Sequence, residues 1–315
     1  MTRYIIRRLF HSAIIIWGVA TLVFFLLRAI PGDPVLNMLG PEYTPEAAEA
    51  LRHKLGLDEN VFVQYVRWVG DIVRGDLGTS ITGVESVSSA IASGLPKTMS
   101  ISIVAFIIAL AIAIPAGILS ALKRNSPLDF LVSIFAFLGV SMPSFWFGII
   151  LILVFAVNLG WLPSLGYKSL TEDGFVEWFK HLLLPALAIG PGYAAILTRF
   201  IRAGLLEAMS SDYIRTARAK GLSERHVVIS HGLRNSMIPV VTIAGIQVAL
   251  LLSGTVIIET VFSIRGIGRL LVGAIFDKDY PMVQGAILVV SLIFVMANLI
   301  VDILYTFLDP RIKYA

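Results

Sequence analysis

No cysteine occurs anywhere in the 315 residues. Disulfides and thiolate metal sites are therefore excluded. Charged residues are also scarce, at 15%. No GxxxxGK[ST] run is present, so the chain lacks a phosphate-cradling loop of that type. HExxH and GxSxG are missing, and no Ser/His/Asp spacing assembles a triad. The five histidines, His11, His53, His181, His226 and His231, are scattered and do not cluster as metal ligands. No pair of acids lies inside an apolar run, which removes the usual mark of a proton relay. An enzyme reading has no support among these residues. Uphill work would need another chain or an ion gradient for its energy.

What the chain has is apolar length. It is 57% hydrophobic with a mean hydropathy of +0.85, beyond any ordinary soluble domain of this size. The run Leu9–Ile30 is too long for a signal-peptide core of about 7–15 residues, and Arg28 and Pro31 stand where a small-x-small cleavage site would be. It reads as a retained first span. Further runs of spanning length are Met99–Leu122, a stretch within Phe130–Leu162, Leu182–Ile201, Ile238–Ile258 and Val283–Leu304. Within Phe130–Leu162, Ser141-Met142-Pro143 predicts a kink or a split, because Pro removes a backbone bond and crowds the preceding turn.

The expected fold is an all-α, polytopic membrane protein with six transmembrane helices. Basic residues fix its orientation. Arg3, Arg7, Arg8, Lys123, Arg124, Arg199, Arg202, Arg215, Arg218, Lys220, Arg225, Arg234, Arg311 and Lys313 fall on one side, with fewer in the short loops of the other. The positive-inside rule then places both termini in the cytosol. The same bias accounts for the net charge of +4, so no nucleic-acid partner is needed. Three regions follow: a tail and first span at 1–30, an extracytoplasmic helical subdomain at 31–97, and a five-span core at 98–315. Pro31-Gly32-Asp33-Pro34 reads as a turn on leaving the membrane. Thr44-Pro45-Glu46 reads as a helix start, with Pro tolerated in the first turn.

Between the fourth and fifth spans lies a polar stretch, 205–235, too rich in Arg, Lys and Ser for hydrocarbon. Ser211 and Asp212 are suited to start a helix, and Gly221 to end it in a left-handed turn. Ser223 is suited to begin a second short helix towards Arg234. Spacing of i, i+4 puts Tyr213, Ala217 and Gly221 on one face, shaped to enter a groove on another protein. The plain alternative is a basic amphipathic loop, common on the cytosolic side.

Polar groups at membrane depth are sparse. Ser141, Pro143, Ser144, Gln247, Ser253 and Thr255 are candidates to line a pathway; the plain alternative is bonding between helices. Pro115, Pro185 and Gly190-Pro191-Gly192 read as helix breaks within spans; such breaks are usually packing devices, and they also occur where helices bend or line a cavity. The loop 259–282 carries Phe262, Ser263, Arg265 and Gly266, a candidate outer gate. It is open to two readings, a re-entrant plug or a surface helix.

Arg215-Thr216-Ala217-Arg218-Ala219-Lys220-Gly221-Leu222 resembles the EAA loop of ABC-importer membrane subunits, with Ala217 and Gly221 on its Ala and Gly. Arg215 and Thr216 depart from its Glu and first Ala, and Arg234 stands where the downstream Pro is usual. Those departures are shared by the dipeptide/oligopeptide permeases. Pro31-Gly32-Asp33-Pro34, Gly75-Asp76-Leu77-Gly78, Phe262-Ser263-Ile264, Asp279-Tyr280-Pro281 and Asp309-Pro310-Arg311 fit the same subclass; Arg265 departs from its commoner Pro.

The resemblance covers nearly the whole chain and implies a B-type dipeptide permease. It implies a coupling helix, Asp212 to Leu222, docked on a cytosolic ATPase subunit. It implies two such ATPase subunits, which hold the ATP and Mg, with no cofactor on this chain. It implies a second permease subunit in a hetero-pair and an extracytoplasmic substrate-binding protein. The setting implied is the cytoplasmic membrane of a bacterium or archaeon. Members of this subclass also move glutathione, nickel chelates or sugars. A secondary transporter is the competing reading, and would need inverted repeats and an intramembrane ion site. A scaffold or receptor without transport is a third.

Overall fold

A computed structural model describes residues 2–29, 34–40, 43–81 and 85–308. Among these residues the regular elements are helices, and one isolated antiparallel bridge joins Thr79 to Ser86. In chain order they are α1 (Thr2–Ala29), α2 (Pro34–Leu39), α3 (Pro45–Leu55), α4 (Val61–Val73), α5 (Val87–Leu122), α6 (Pro127–Ser141), α7 (Ser144–Leu151, continued as a π-helical stretch over Ile152–Asn158) and α8 (Gly174–Met209). Then come α9 (Asp212–Ala219), α10 (Glu224–His226, continued by a π-helical stretch over Val227–Leu233), α11 (Arg234–Val261), α12 (Ile267–Phe276) and α13 (Tyr280–Leu308).

Among the described residues four helices are long and apolar enough to cross a membrane, or up to six if each of two bent pairs is one span. Most exceed their apolar runs. Helices α5 and α8 are each 36 residues, about 54 Å at the usual rise, well past the ~30 Å of hydrocarbon. Their ends carry Ser88, Ser89 and Lys97 in α5 and Glu177, Lys180 and Glu207 in α8. Hydropathy marks only the greasy middle of such a helix, so the ends were not visible in it. At Ser141-Met142-Pro143 the expected kink is a corner of 102° between α6 and the helix that follows. Pro143 takes extended geometry there and starts a new helix.

Helix α8 corrects the expectation of breaks at Pro185 and Gly190-Pro191-Gly192, because it runs unbroken through both. Packing overrides the local penalty: Leu182, Leu184, Pro185, Ala186 and Ile189 are all buried.

The chain divides into two compact units, residues 1–97 with 265–295, and residues 98–264 with 296–315. In the first, Leu27, Val87, Ile91, Ile267, Val283 and Ala286 form an apolar core. Phe24, Phe25, Tyr65 and Trp68 pack ring on ring, with centroids 5.1–6.1 Å apart. The Thr44 side chain caps α3 by accepting from the Ala47 amide, and Gly56, at φ 65°, ends it. That is the start and stop the local residues dictate. Buried Asp279 accepts a hydrogen bond from Ser80 and another from the Met282 amide at the start of α13. Within the 259–282 loop, α12 buries Ile267, Gly268 and Ala274 in this unit.

In the second unit α8 is the spine, packed on α6, α7 and α11. Close approach needs small residues, as is usual among membrane helices. A Cβ on Gly117 would lie 2.7 Å from Ile201 side-chain atoms and 3.0 Å from the Thr198 carbonyl. A Cβ on Gly139 would lie 3.0 Å from the Pro191 carbonyl.

Near the start of α6 the buried Asp129 ties three elements together. It accepts a bidentate pair from Arg202 of α8, at 2.8 and 2.7 Å, a hydrogen bond from the Ser120 hydroxyl of α5, and the Asn125 amide of the intervening turn at 2.9 Å. A second buried acid, Glu259, accepts from Thr98 at 2.6 Å. The sequence pattern contained no hint of buried acids, since both stand just outside the apolar cores of their helices.

Two outcomes are expected. Gly117→Ala should lower the unfolding midpoint in detergent by overpacking, at a cost of about 1–3 kcal/mol; an unchanged midpoint contradicts the contact. A double-mutant cycle of Asp129→Ala with Arg202→Ala should return a coupling energy of about 1–3 kcal/mol, reduced from the fully buried case because Arg202 is partly exposed. Additive losses would mean that the pair holds nothing together.

Candidate functional site

Two features of the second unit are candidates for function: the short helix α9 with its turn, and a cavity beside the α6–α7 corner.

Helix α9 begins at Asp212, whose carboxylate suits the positive end of the helix. Ser211 stands at the cap position, but its hydroxyl donates back to the Ala208 carbonyl at 2.5 Å and does not cap α9. The helix ends at Ala219, and Gly221 follows with φ 78°. That left-handed geometry costs Gly little and a branched residue much more.

The burial pattern corrects the expected face of Tyr213, Ala217 and Gly221. Ala217 points inward. It packs with Ile214, Val227 and Met209 in a small apolar cluster of its own chain. Positions 214 and 217 lie on one side of the helix, and there they meet Val227 of the next segment. The outward face is instead formed by Asp212, Tyr213, Arg215, Thr216, Ala219, Lys220, Gly221 and Leu222, all exposed.

Arg218 braces the turn by donating to both carboxylate oxygens of Glu224, at 3.1 and 2.6 Å. These hydrogen bonds hold the Glu224 carboxyl below its ordinary value and the Arg218 guanidinium above its own. The brace is therefore whole near neutral pH and loosens as pH falls through the lowered value of Glu224. The residues after Ser223 do not form a separate short helix. They are the first turns of the helical run that leads, through its π-helical stretch, into α11.

The cavity, of about 340 Å³, is lined by Gly139, Val140, Met142, Ser144, Tyr193 and Gly254 among others. Of the candidate pathway residues whose side chains are described, only Ser144 lines it. Ser141 and Pro143 form the corner beside it and are exposed. Gln247 is buried, with neither side-chain amide atom bonded, and Thr255 is fully buried. The side chain of Ser253 lies outside the described residues. Tyr193 was not foreseen, because an aromatic residue in a span is ordinary core in most sequences. The proline at 143 and the glycines at 139 and 192 were the available signals for this place.

The candidate gate residues do not form one feature. Phe262 is buried, its ring against Gly148, and its carbonyl accepts from the Gly166 amide at 2.9 Å. Ser263 takes φ 53°, which turns the chain after α11. Arg265 and Gly266 belong to the other unit, where Gly266 is the residue before α12 and lies against Gly94. Among the described residues no cluster of three or more His, Cys, Asp or Glu could hold a metal ion. Pro31, Gly32, Asp33 and the Asp309-Pro310-Arg311 stretch lie outside the described residues.

Residues 113–314 match the family described as binding-protein-dependent transport system inner membrane component, and residues 1–102 match its N-terminal counterpart. The oligopeptide transport system permease protein AppB of Bacillus subtilis is 42% identical, covering 100% of both chains. A putative peptide transport system permease protein of Brucella abortus is 42% identical with the same coverage, and the glutathione transport system permease protein GsiC of Escherichia coli is 41% identical, also over 100% of both. A solved structure, the MetNI methionine ABC transporter in inward-facing conformations, aligns with a TM-score of 0.58 at 17% identity, over 70% of this chain and 97% of that one. That last likeness concerns the fold alone. The full-length identities and the paired family matches together place this polypeptide as a member of the membrane components of binding-protein-dependent transport systems.

Proposed function

We propose that the chain is one permease half of an ATP-driven importer of dipeptides and oligopeptides, and that α9 is where a cytosolic ATPase subunit grips it. The observation that carries this reading is the construction of α9. One side is fastened by Ile214 and Ala217, the turn is braced by Arg218 and Glu224, and the other side is left bare, from Asp212 through Leu222. A helix held this firmly by its own chain can transmit a push, and its free face is available to a partner. It follows directly on α8, the most connected helix of its unit.

ATP and Mg would bind on two partner ATPase subunits, since this chain has no phosphate-cradling loop of the GxxxxGK[ST] type. A second permease subunit of different sequence would supply the other half of the pathway, and an extracytoplasmic binding protein would deliver the substrate. The setting is the cytoplasmic membrane of a bacterium or archaeon, with 205–235 in the cytosol. The cavity at the α6–α7 corner, with Ser144 and Tyr193 as its polar groups, is the segment of this half we assign to the pathway. Peptides are favoured as substrate by the names of the relatives that match end to end. Glutathione is a second reading, favoured by the 41% identity to GsiC.

Gly221→Val leaves open space around the new side chain but forces it into the left-handed region. That costs about 1–2 kcal/mol and should reduce uptake roughly tenfold while ATP hydrolysis by the assembled complex continues. Normal uptake at normal membrane abundance contradicts the coupling role. Ser223→Cys should react with a membrane-impermeant thiol reagent only from the cytosolic side; labelling from outside overturns the orientation.

A further inference from the structure

The first unit holds a cavity of about 220 Å³ that the coupling reading does not use. Arg28, near the C-terminal end of α1, lines it. Its guanidinium lies 3.5 Å over the Phe24 ring, donates Nε–H to Gln64 Oε1 at 3.0 Å and one Nη to the Phe24 carbonyl at 3.2 Å. Among the described residues no carboxylate pairs with it. Gln64 is itself fixed, since its amide nitrogen donates to the carbonyls of Leu57 and Glu59 at 3.3 and 3.0 Å. Its oxygen is thereby turned to Arg28, and the guanidinium is held in place. Gln284 of α13 lines the same cavity, is 95% buried, and has its amide nitrogen without a hydrogen-bond partner.

A cation with no carboxylate bonded to it among the described residues and a buried amide donor without an acceptor are both costly to keep. Both residues line one cavity, and both are donors. A single anionic oxygen group would satisfy them together, and the planar fork of Arg matches a carboxylate. The rest of the lining favours a second charge of opposite sign. Asp76 and Asp71, the latter with the exposed Arg74 3.8 Å away, line the cavity, while its other cation, Arg67, is paired with Glu59 at 2.8 Å. Trp68 and Tyr280 supply apolar wall. The volume lies below the ~300 Å³ lower end for drug-sized ligands, which suits an amino acid or the end of a short peptide.

We infer that this cavity binds a small zwitterion, with its carboxylate on Arg28 and Gln284 and its ammonium group facing Asp71 and Asp76. The inference goes beyond the coupling role of α9 and stands on different residues. Binding to the chain alone is read without any ATPase, so its failure leaves the coupling reading intact.

The test is equilibrium binding of radiolabelled dialanine to the full chain in nanodiscs of phosphatidylcholine. Dialanine should bind saturably. Its C-terminal amide and its N-acetyl derivative should each compete at least about tenfold less well, the loss expected for one charge-assisted hydrogen bond. Arg28→Gln and Gln284→Leu should each weaken binding by a similar factor in protein that melts as the parent does. Should Arg28→Gln fail to fold, the ligand series on the unaltered chain still decides. Absence of saturable binding overturns the proposal, as does competition by the amide equal to that of dialanine. Displacement by inorganic phosphate in preference to dialanine, or loss of dialanine binding in nanodiscs of anionic phosphatidylglycerol, would assign the cavity to a free phosphate or a lipid headgroup and overturn the zwitterion.

Discussion

Asp129 is the junction on which the second unit depends. A carboxylate in a nearly dry setting persists only where its charge and lone pairs are matched. Arg202, Ser120 and the Asn125 amide supply that match from α8, α5 and the turn between α5 and α6. Three segments thus meet at one side chain. Below it on α8, Ile201 and Leu205 are fully buried, so the last turns of that helix cannot shift without carrying their neighbours along.

Helix α9 follows on that constrained helix. The chain leaves α8 at Met209, makes a two-residue turn and enters α9. Met209 packs against the Ile214, Ala217 and Val227 cluster, so α9 is bonded back to both the helix before it and the helix after it. Force on the exposed face would reach α8 and α11 together. From α8 it would pass through Arg202 and Asp129 to α6, and along α6 to the corner at Ser141-Met142-Pro143. There the cavity opens beside Gly139 and Tyr193. Packed helices and one ion pair connect α9 to that corner.

Much of this was legible in the chain itself. Greasy runs located the membrane helices, because hydrocarbon imposes length and apolarity on each. Gly221 marked the end of α9, and Thr44-Pro45 marked the start of α3, because caps are local chemistry. The reach of α5 and α8 beyond their runs was not legible, since amphipathic ends carry no hydropathy signal. Continuity through Pro185 and Pro191 depends on close neighbours that only the packed helices provide. The inward turn of Ala217 depends on Met209 and Val227, which lie outside the helix. Ser126-Pro127-Leu128-Asp129 did carry a capping signature, Ser126 Oγ accepting from the Asp129 amide at 3.3 Å. Its larger role, clamping Arg202 73 residues further on, is a tertiary fact.

The most direct measurement is photo-crosslinking from position 213 in the assembled transporter, with a photoreactive residue in place of the exposed Tyr213. The coupling account predicts crosslinks to the ATPase subunit, with a yield that changes between nucleotide-free and ATP-bound states. Crosslinks to lipid alone, in a complex that still takes up substrate, would contradict it.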